Sequence, residues 1–259
     1  MAEGRSWTAW ELLDADWVKN KYPGPLGYSS TNYMLLGFIV SHFGDGLAPE
    51  ETDQAYFLPA HLKSQLHFGN NGQTVSEWSD VKFYDLTADA GTGLAPVLDA
   101  ADKARIFLGF GASDLAASVP AVADLVYAIY GAQTVTKQVD EMLTFHHEPL
   151  YGYTYGLATM SAGYPGFPIY GHGGDTYGAE SEAHYSPLLK SSVVVASNVE
   201  IPDAEQTAYV RCMAWFALLK INDPCETCRG KYPVRETCRG ALHGTSDLYR
   251  ELNLRKSTD

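Results

Sequence analysis

The strongest constraint on the fold is a change of periodicity in the second half of the chain. Residues 151–197 switch from helical spacing to short strand-like runs, which predict strands at 153–160, 168–172, 179–185 and 192–197. Because glycine- and proline-rich turns link these runs over short distances, antiparallel pairing is the economical arrangement. An amphipathic helix is predicted directly afterwards, at 204–219. The sequence therefore predicts an antiparallel sheet packed by the final helix.

The first half of the chain predicts a helical lobe. Thr8 and Glu11 have the spacing of a capping box, and Trp10, Leu13 and Trp17 then fall on one helical face. The next run, 31–43, is apolar nearly all round, which is typical of a buried helix. Further helices are predicted at 97–108, 120–130 and 134–143, with one more within 49–67 and a possible strand at 81–86. Together with the sheet, these elements predict an α+β fold.

Charge and hydropathy exclude several classes of partner. The 259 residues carry a formal net charge of −13 with only 18 lysines and arginines, which argues against binding to nucleic acid or an anionic membrane surface. The most apolar stretch, 33–40, is far shorter than the roughly 20 residues of a membrane span. The first residues, MAEGRSW, show no secretory signal. The compartment stays open, with an extracytoplasmic or organellar location favoured.

Two short motifs carry the chemistry. PLGYSSTNYMLLG places Tyr28 just before the run at 31–43, with Ser29, Ser30 and Thr31 as candidate helix caps. YGHGGDTYG places His172 at a strand end beside glycines that let a ligand approach the backbone closely. A tyrosine acts as a general base or acid only if its surroundings lower its pKa from about 10, as a cation or a helix N-terminus does. Taken singly, the first motif indicates a helix cap and the second a turn.

Taken together and in this order, the motifs resemble the class C beta-lactamase, DD-peptidase and esterase family of penicillin-binding-protein-like serine hydrolases. In that family a Tyr-Ser-Asn-Thr-Asn-Tyr-Leu-Leu-Gly type segment supplies the catalytic tyrosine. A later Gly-His-Gly-Gly segment, equivalent to Lys-Thr-Gly in the lactamases, lines the substrate strand. The resemblance covers residues 10–219 and includes SVPAVADLVYAIYG, YGYTYGLATM and SSVVVASN. It implies a beta-lactamase/transpeptidase-like fold and acyl transfer on a small ester, amide or peptide, without a cofactor.

The resemblance also implies roles for individual residues. Tyr28 matches the tyrosine that relays a proton, whereas Ser30 stands where the family normally has asparagine. An asparagine side chain offers both an amide donor and a carbonyl acceptor, so the shorter serine is expected to weaken positioning of the substrate. These two residues and His172 are the candidate catalytic residues.

The candidate substrate-binding residues follow the histidine. His172 matches the histidine of the substrate-lining strand, and Gly174 matches its closing glycine. Gly173 lies between them, and the resemblance implies that the backbone N–H of Asp175 donates to the oxyanion hole.

The nucleophile of the family has no counterpart in the expected place. Its Ser-x-x-Lys pair precedes the tyrosine, but the match in this chain, Ser79-Asp-Val-Lys82, follows Tyr28 in a strand-like context. The expected fold therefore lacks the N-terminal strands and the nucleophile helix. A missing segment, another subunit or rearranged local elements would have to cover the apolar surface left on the sheet and on the helix at 31–43. Two functions stay open: a serine hydrolase represented by an incomplete chain, or an inactive pseudoenzyme that serves as a binding or assembly subunit.

The final residues form a polar appendage. The predicted domains are an incomplete beta-lactamase-like domain at 1–222 and a cysteine-containing tail at 223–259. Cys225, Cys228, Cys238 and His243 could bind zinc, but their spacing is not a strong zinc pattern, so no metal is predicted. Disulfide bonds are favoured instead, and with Cys212 the four cysteines allow three pairings.

Overall fold

The computed structural model describes Trp10, Leu13, Asp14 and residues 28–44, 51–68, 84–85, 111–113, 115–145, 153–161, 167–176, 179–200 and 206–220. The chain divides into two compact units, residues 1–121 and 122–259. The domain boundary predicted at 222 lies outside the described residues and stays a prediction.

The first unit is mainly helical in its described part. Helix α1, Ser30–Phe43, is followed by the short helix α2, Ala60–Lys63. Strand β1, Leu66–Phe68, pairs in antiparallel fashion with β3, Leu115–Ala117, and β2 is Tyr84–Asp85. The helix predicted at 31–43 is confirmed, and the one expected within 49–67 is only the single turn of α2. The helix predicted at 97–108 lies outside the described residues.

Helix α1 packs on one side only. Met34 is buried and contacts Leu13, Phe38 and Ala112. The rings of Trp10 and Phe38 are tilted by 39° to each other, with their centroids 4.0 Å apart. The expectation that this helix is buried is wrong for its other side. Five large apolar side chains there are about half exposed or more, and we call them the exposed apolar face: Leu35, Leu36, Ile39, Val40 and Phe43.

The second unit contains the sheet. Helix α3, Val119–Val126, runs into a π-helical turn, Tyr127–Gly131, and α4 is the short helix Val139–Met142. The strands are β4, Thr154–Tyr155; β5, Met160–Ser161; β6, Tyr170–Thr176; β7, Ala179–Ser186; β8, Ser191–Ser197; and β9, Val199–Glu200. The last helix, α5, is Gln206–Leu218.

Two of the predicted elements differ from the structure. The strand predicted at 153–160 is a hairpin, because Gly156 N–H donates to the Thr159 carbonyl at 2.8 Å and Ala158 has a φ of +49°. The helix predicted at 134–143 is reduced to α4. Its first residues form a turn instead, in which the Thr134 N–H bonds to the Ala128 carbonyl at 2.8 Å.

The antiparallel sheet is confirmed. In the described residues its strand order is β4-β5-β6-β7-β8, and every neighbouring pair is antiparallel. The register of β6 and β7 places His172 opposite Ala183 and Gly173 opposite Glu182. Successive residues of a strand point to opposite faces of the sheet. His172 and Ala183 therefore lie on one face, and Glu182 lies on the other.

Both faces of the sheet are covered. On one face the predicted packing by the final helix is confirmed, through a buried cluster of Phe167, Ile169, Val193, Cys212, Trp215, Phe216 and Leu219. On the other face Tyr185 packs with Val126, Tyr130 and Val139. The fold class is thus α+β, as predicted.

Two further predictions concern cysteines and membranes. Cys212, which lies on α5 and is buried against the sheet, is disulfide-bonded. Cys225, Cys228, Cys238 and His243 lie outside the described residues, so the choice between disulfide and zinc for them stays a prediction. None of the described helices is long and apolar enough to span a membrane.

Candidate functional site

His172 is held by hydrogen bonds at both ring nitrogens. Its Nδ1 lies 2.5 Å from the Gly173 carbonyl oxygen, and its Nε2 lies 2.8 Å from the hydroxyl of Tyr155. The Tyr155 and His172 rings meet edge to face, at 88° and 5.7 Å between centroids. Burial lowers the pKa of His172 below its ordinary value, and the bond to the Gly173 carbonyl opposes that shift in part. At neutral pH the imidazole is therefore neutral.

Tyr155 lies at the end of β4, where the β4–β5 hairpin contacts α4. The Leu157 N–H donates to the Met142 carbonyl at 3.2 Å. Gly156 lies so close to that carbonyl that a Cβ on it would be 2.2 Å from the oxygen. A residue with a side chain would push the hairpin away from α4, so the glycine sets where Tyr155 begins its approach to His172.

The sequence contains Tyr155 but gives no reason to select it. It belongs to the segment YGYTYG, in which three tyrosines alternate with small residues. The alternating spacing of this segment does not show which of the three tyrosines contacts His172, which lies 17 residues after Tyr155. A following glycine is no guide either, because Tyr151 directly precedes Gly152 just as Tyr155 precedes Gly156.

Strand β6 has different neighbours along its length. Its pairing with β5 covers Tyr170 and Gly171, whereas its pairing with β7 runs through Thr176. From His172 onward, no other described strand pairs with the second edge of β6. A strand edge of this kind offers backbone N–H and C=O groups to an extended ligand.

The three residues predicted to bind substrate lie along this part of β6. Gly173, Gly174 and Asp175 follow His172 in the strand, and the last two are exposed. A Cβ on Gly173 would make only ordinary contact with Glu182, at 3.6 Å. Whether these residues bind substrate, and whether the Asp175 N–H serves an oxyanion, stay predictions.

A buried ionic cluster lies beneath this strand, between β7 and α5. The Arg211 Nη1 donates to the Glu182 Oε2 at 2.5 Å, and Thr207 donates to Glu180 at 2.6 Å. His184 Nδ1 lies 3.3 Å from the same Glu182 oxygen, but not in hydrogen-bonding geometry, and His184 is fully buried. Burial, with Arg211 and His172 nearby, holds the pKa of His184 well below its usual range. Burial raises the pKa of Glu182, Arg211 opposes this, and Glu180 adds to it.

Tyr28 and Ser30 lie in the first unit. Tyr28 is half-buried, 5.7 Å from Tyr33 between ring centroids. The cap of α1 is Ser29, whose hydroxyl accepts from the Thr31 N–H at 3.3 Å, and Ser30 is the exposed first residue of the helix. The prediction that Tyr28 shares a cleft with His172 of the second unit stays a prediction.

The pair Ser79 and Lys82 lies outside the described residues. This pair has the Ser-x-x-Lys spacing of the family's nucleophile. The site formed by the described residues therefore does not include a candidate nucleophile of this type.

Comparison with known proteins relates the chain to a group of solved structures. No family model matches the sequence, and no curated protein matches it. A D-stereospecific amidohydrolase from Streptomyces sp. superposes with a TM-score of 0.61 at 18% identity, over 74% of this chain and 57% of that one. The D-amino acid amidase from Ochrobactrum anthropi SV3 gives 0.60 at 18% identity in its complex with D-phenylalanine, over 85% and 70%. Its complex with L-phenylalanine gives 0.62 at 18% identity, over 76% and 59%.

These similarities establish the fold. The neighbours share the beta-lactamase/transpeptidase-like fold, and the α+β architecture of the described residues agrees with it. The chain spans 57% of the length of the first neighbour and 70% of the second. No sequence match assigns it to the class C group.

Proposed function

We propose that this chain is part of a hydrolase that cleaves small amides or esters by serine-type acyl transfer, and that the substrate lies along β6. The observation that carries the proposal is the position of His172. It lies where the pairing of β6 with β5 ends, beside a strand edge that no other described strand covers. The motif that contains it therefore coincides with the place where this fold can accept an extended ligand.

The proposed roles follow the order of the residues. Gly173 and Gly174 leave room for the substrate to approach the backbone, and the Asp175 N–H donates to the developing oxyanion. Tyr28 relays the proton between nucleophile and leaving group. Ser30 replaces the family's asparagine with a single hydroxyl, so it holds the substrate less firmly.

The amide class of substrate is the first to test. The similar structures are named as amidases and amidohydrolases, and two of them hold phenylalanine. An amino acid amide is also small enough for the edge of a single strand. We therefore propose an amino acid amide or a comparable small ester as the substrate class.

Binding can be tested without a nucleophile. Titrating the chain with D- or L-phenylalanine amide should shift the NMR signals of the His172 ring saturably. Gly174→Val should abolish the shift, because its Cβ would lie only 2.8 Å from the Ser181 Oγ and its methyl groups would occupy the place proposed for the substrate. Ala196→Val is the matched control, because Ala196 lies in the same cross-strand row but on β8. A His172 signal that does not move in the unmodified chain would overturn the proposal.

Turnover separates the hydrolase from the inactive binding subunit. If a Ser-x-x-Lys is encoded in frame ahead of Met1, a chain extended to include it should release ammonia from phenylalanine amide. An extended chain that binds the amide without releasing ammonia would favour the binding subunit instead.

A further inference from the structure

We propose that Tyr155 is a positioning residue for His172, and that together with the Gly173 carbonyl it holds the imidazole as the neutral Nδ1–H tautomer with Nε2 as acceptor. The structural part of this proposal is independent of any activity. Its consequence for the substrate rests on the function proposed above.

The donor and acceptor chemistry of the three groups leaves one arrangement. A backbone carbonyl can only accept, so the short contact of Gly173 requires a proton on Nδ1. A neutral imidazole with Nδ1 protonated has a bare Nε2, which can only accept. The Tyr155 hydroxyl, 2.8 Å away, must then donate to it. Burial disfavours the doubly protonated ring, in which Nε2 would donate to the tyrosine instead.

The tyrosine is placed firmly enough for this role. Its hairpin is fastened to α4 through the Leu157 N–H and the close approach of Gly156. On the far side of the hairpin, the Thr159 hydroxyl hydrogen-bonds to the buried Tyr130 at 3.0 Å. Two contacts on one four-residue turn fix the base of the Tyr155 side chain, so little conformational entropy opposes its bond to His172.

The neutral tautomer of His172 changes the charge that the substrate strand presents to a ligand. In the Lys-Thr-Gly version of this segment the first residue carries a positive charge, which attracts a carboxylate. A neutral His172 with both nitrogens engaged supplies no such charge at neutral pH. The ligand beside it is therefore expected to be an uncharged amide or ester, and a carboxylate in the same position should bind more weakly.

Nitrogen NMR of the complete chain tests the tautomer. With ¹⁵N-labelled histidine, His172 should show a protonated Nδ1 and an unprotonated, hydrogen-bonded Nε2 at pH 7. In Tyr155→Phe the Nε2 signal should move toward that of a nitrogen without a donor. The titration midpoint should also fall, because the imidazolium loses a charge-assisted bond that is stronger than the neutral one. Tyr153→Phe, two residues earlier in the same segment, is the control and should change neither.

Two results would overturn the proposal. One is an Nε2–H tautomer in the unmodified chain, which needs no variant and so does not depend on Tyr155→Phe folding. The other is a folded Tyr155→Phe whose His172 signals and titration are unchanged.

Ligand binding separates this proposal from the proposed function. Tyr155→Phe should weaken phenylalanine amide binding by about tenfold, the effect expected when one hydrogen bond that orients the site histidine is lost. The unmodified chain should bind N-acetylphenylalanine amide more tightly than N-acetylphenylalanine, which differs from it only in carrying a carboxylate. If the tautomer is as proposed but no amide binds, the proposed function fails and the positioning role of Tyr155 stands. If the amide binds but His172 is the Nε2–H tautomer, the proposed function stands and the positioning role of Tyr155 fails.

Discussion

Gly171 is the residue at which β6 and β7 approach each other most tightly among the described glycines. A Cβ there would lie 1.9 Å from the Ala183 carbonyl oxygen and 2.8 Å from the His184 Cα, both of which are backbone atoms. Neither can move without disturbing the sheet. A glycine is therefore required at position 171, directly before His172, by the close packing of β6 and β7 and not by ligand access.

We expect Gly171→Ala to destabilise the protein by about 1–3 kcal/mol, the usual cost of forced overpacking. Urea unfolding followed by circular dichroism measures it. Gly173→Ala is the matched control in the same strand, since its Cβ would make only an ordinary contact at 3.6 Å with Glu182. Equal losses for the two variants would contradict the steric explanation.

This chain is expected not to form a covalent adduct with penicillin. Acyl transfer needs a hydroxyl activated by an adjacent base, and Tyr28 matches a proton relay and not a nucleophile. An oxyanion hole can stabilise only a charge that some nucleophile has begun to create. Incubation with a fluorescent penicillin, followed by denaturing electrophoresis, should show no labelled band.

The variants locate a nucleophile if a band appears. A band that disappears on Ser79→Ala would show that Ser79 and Lys82 form the active pair. A band lost only on Ser29→Ala or Ser30→Ala would place the nucleophile beside Tyr28.

At the level of elements, α5 and β7 are joined by an ion pair that is removed from water. Only 5% of the Arg211 side chain and 11% of the Glu182 side chain are exposed. Arg211→Met should cost about 3–5 kcal/mol, because it leaves a buried carboxylate unpaired. Adding Glu182→Leu should recover most of that loss, since an apolar pair of similar volume carries no desolvation penalty. Thermal or urea unfolding of the two single variants and the double variant checks this. A double variant no more stable than Arg211→Met would be contrary to expectation.

The same cluster makes the protein sensitive to acid. Because the folded-state pKa of His184 lies well below the unfolded value of about 6.5, the unfolded chain binds the extra proton first. Stability should therefore fall as the pH drops below about 6.5, by up to about 1.4 kcal/mol per pH unit. Glu180, Glu182, Arg211 and His172 are the charged or titratable groups around it, and Glu182, with its raised pKa, opposes the trend nearer its own titration.

Comparison with His184→Gln isolates the contribution of this histidine. Unfolding free energies measured between pH 7 and pH 5 should show a shallower decline in the variant. Parallel pH profiles would mean that another group, such as His172, causes the acid sensitivity.

Sequence periodicity predicted the elements whose residues repeat regularly. Helices α1 and α5 and strands β7 and β8 lie within one or two residues of their expected bounds where these are described. The β4–β5 hairpin was missed because its turn has no Asn-Gly or proline signal and depends on Ala158 in a left-handed conformation. The motif proposes His172 as a site residue, and that role stays a prediction. Tyr155 contacts His172 through tertiary packing that local sequence does not encode.

At the scale of the whole molecule, the exposed apolar face of α1 is expected to promote self-association in solution. Phe43 is 80% exposed and Ile39, one helical turn before it, is 52% exposed. Contiguous apolar surface of this kind promotes association. Ile39→Lys with Phe43→Lys should therefore reduce concentration-dependent light scattering without lowering the unfolding midpoint. Leu218→Lys, at an exposed site on α5, should have little effect, and an equal reduction there would indicate a general charge effect.

The disulfide at Cys212 also provides a chemical probe of how often α5 moves away from the sheet. A reductant must reach the sulfur to attack it, and only 1% of Cys212 is accessible while α5 lies on the sheet. Attack on the Cys212 sulfur must therefore wait for the helix to move away from the sheet, so this route of reduction can be no faster than the opening of that layer. A thiol-release rate that stops rising with thiol concentration would thus report a local opening of α5 that equilibrium unfolding averages out, whereas a rate that keeps rising in proportion would indicate attack at the partner sulfur.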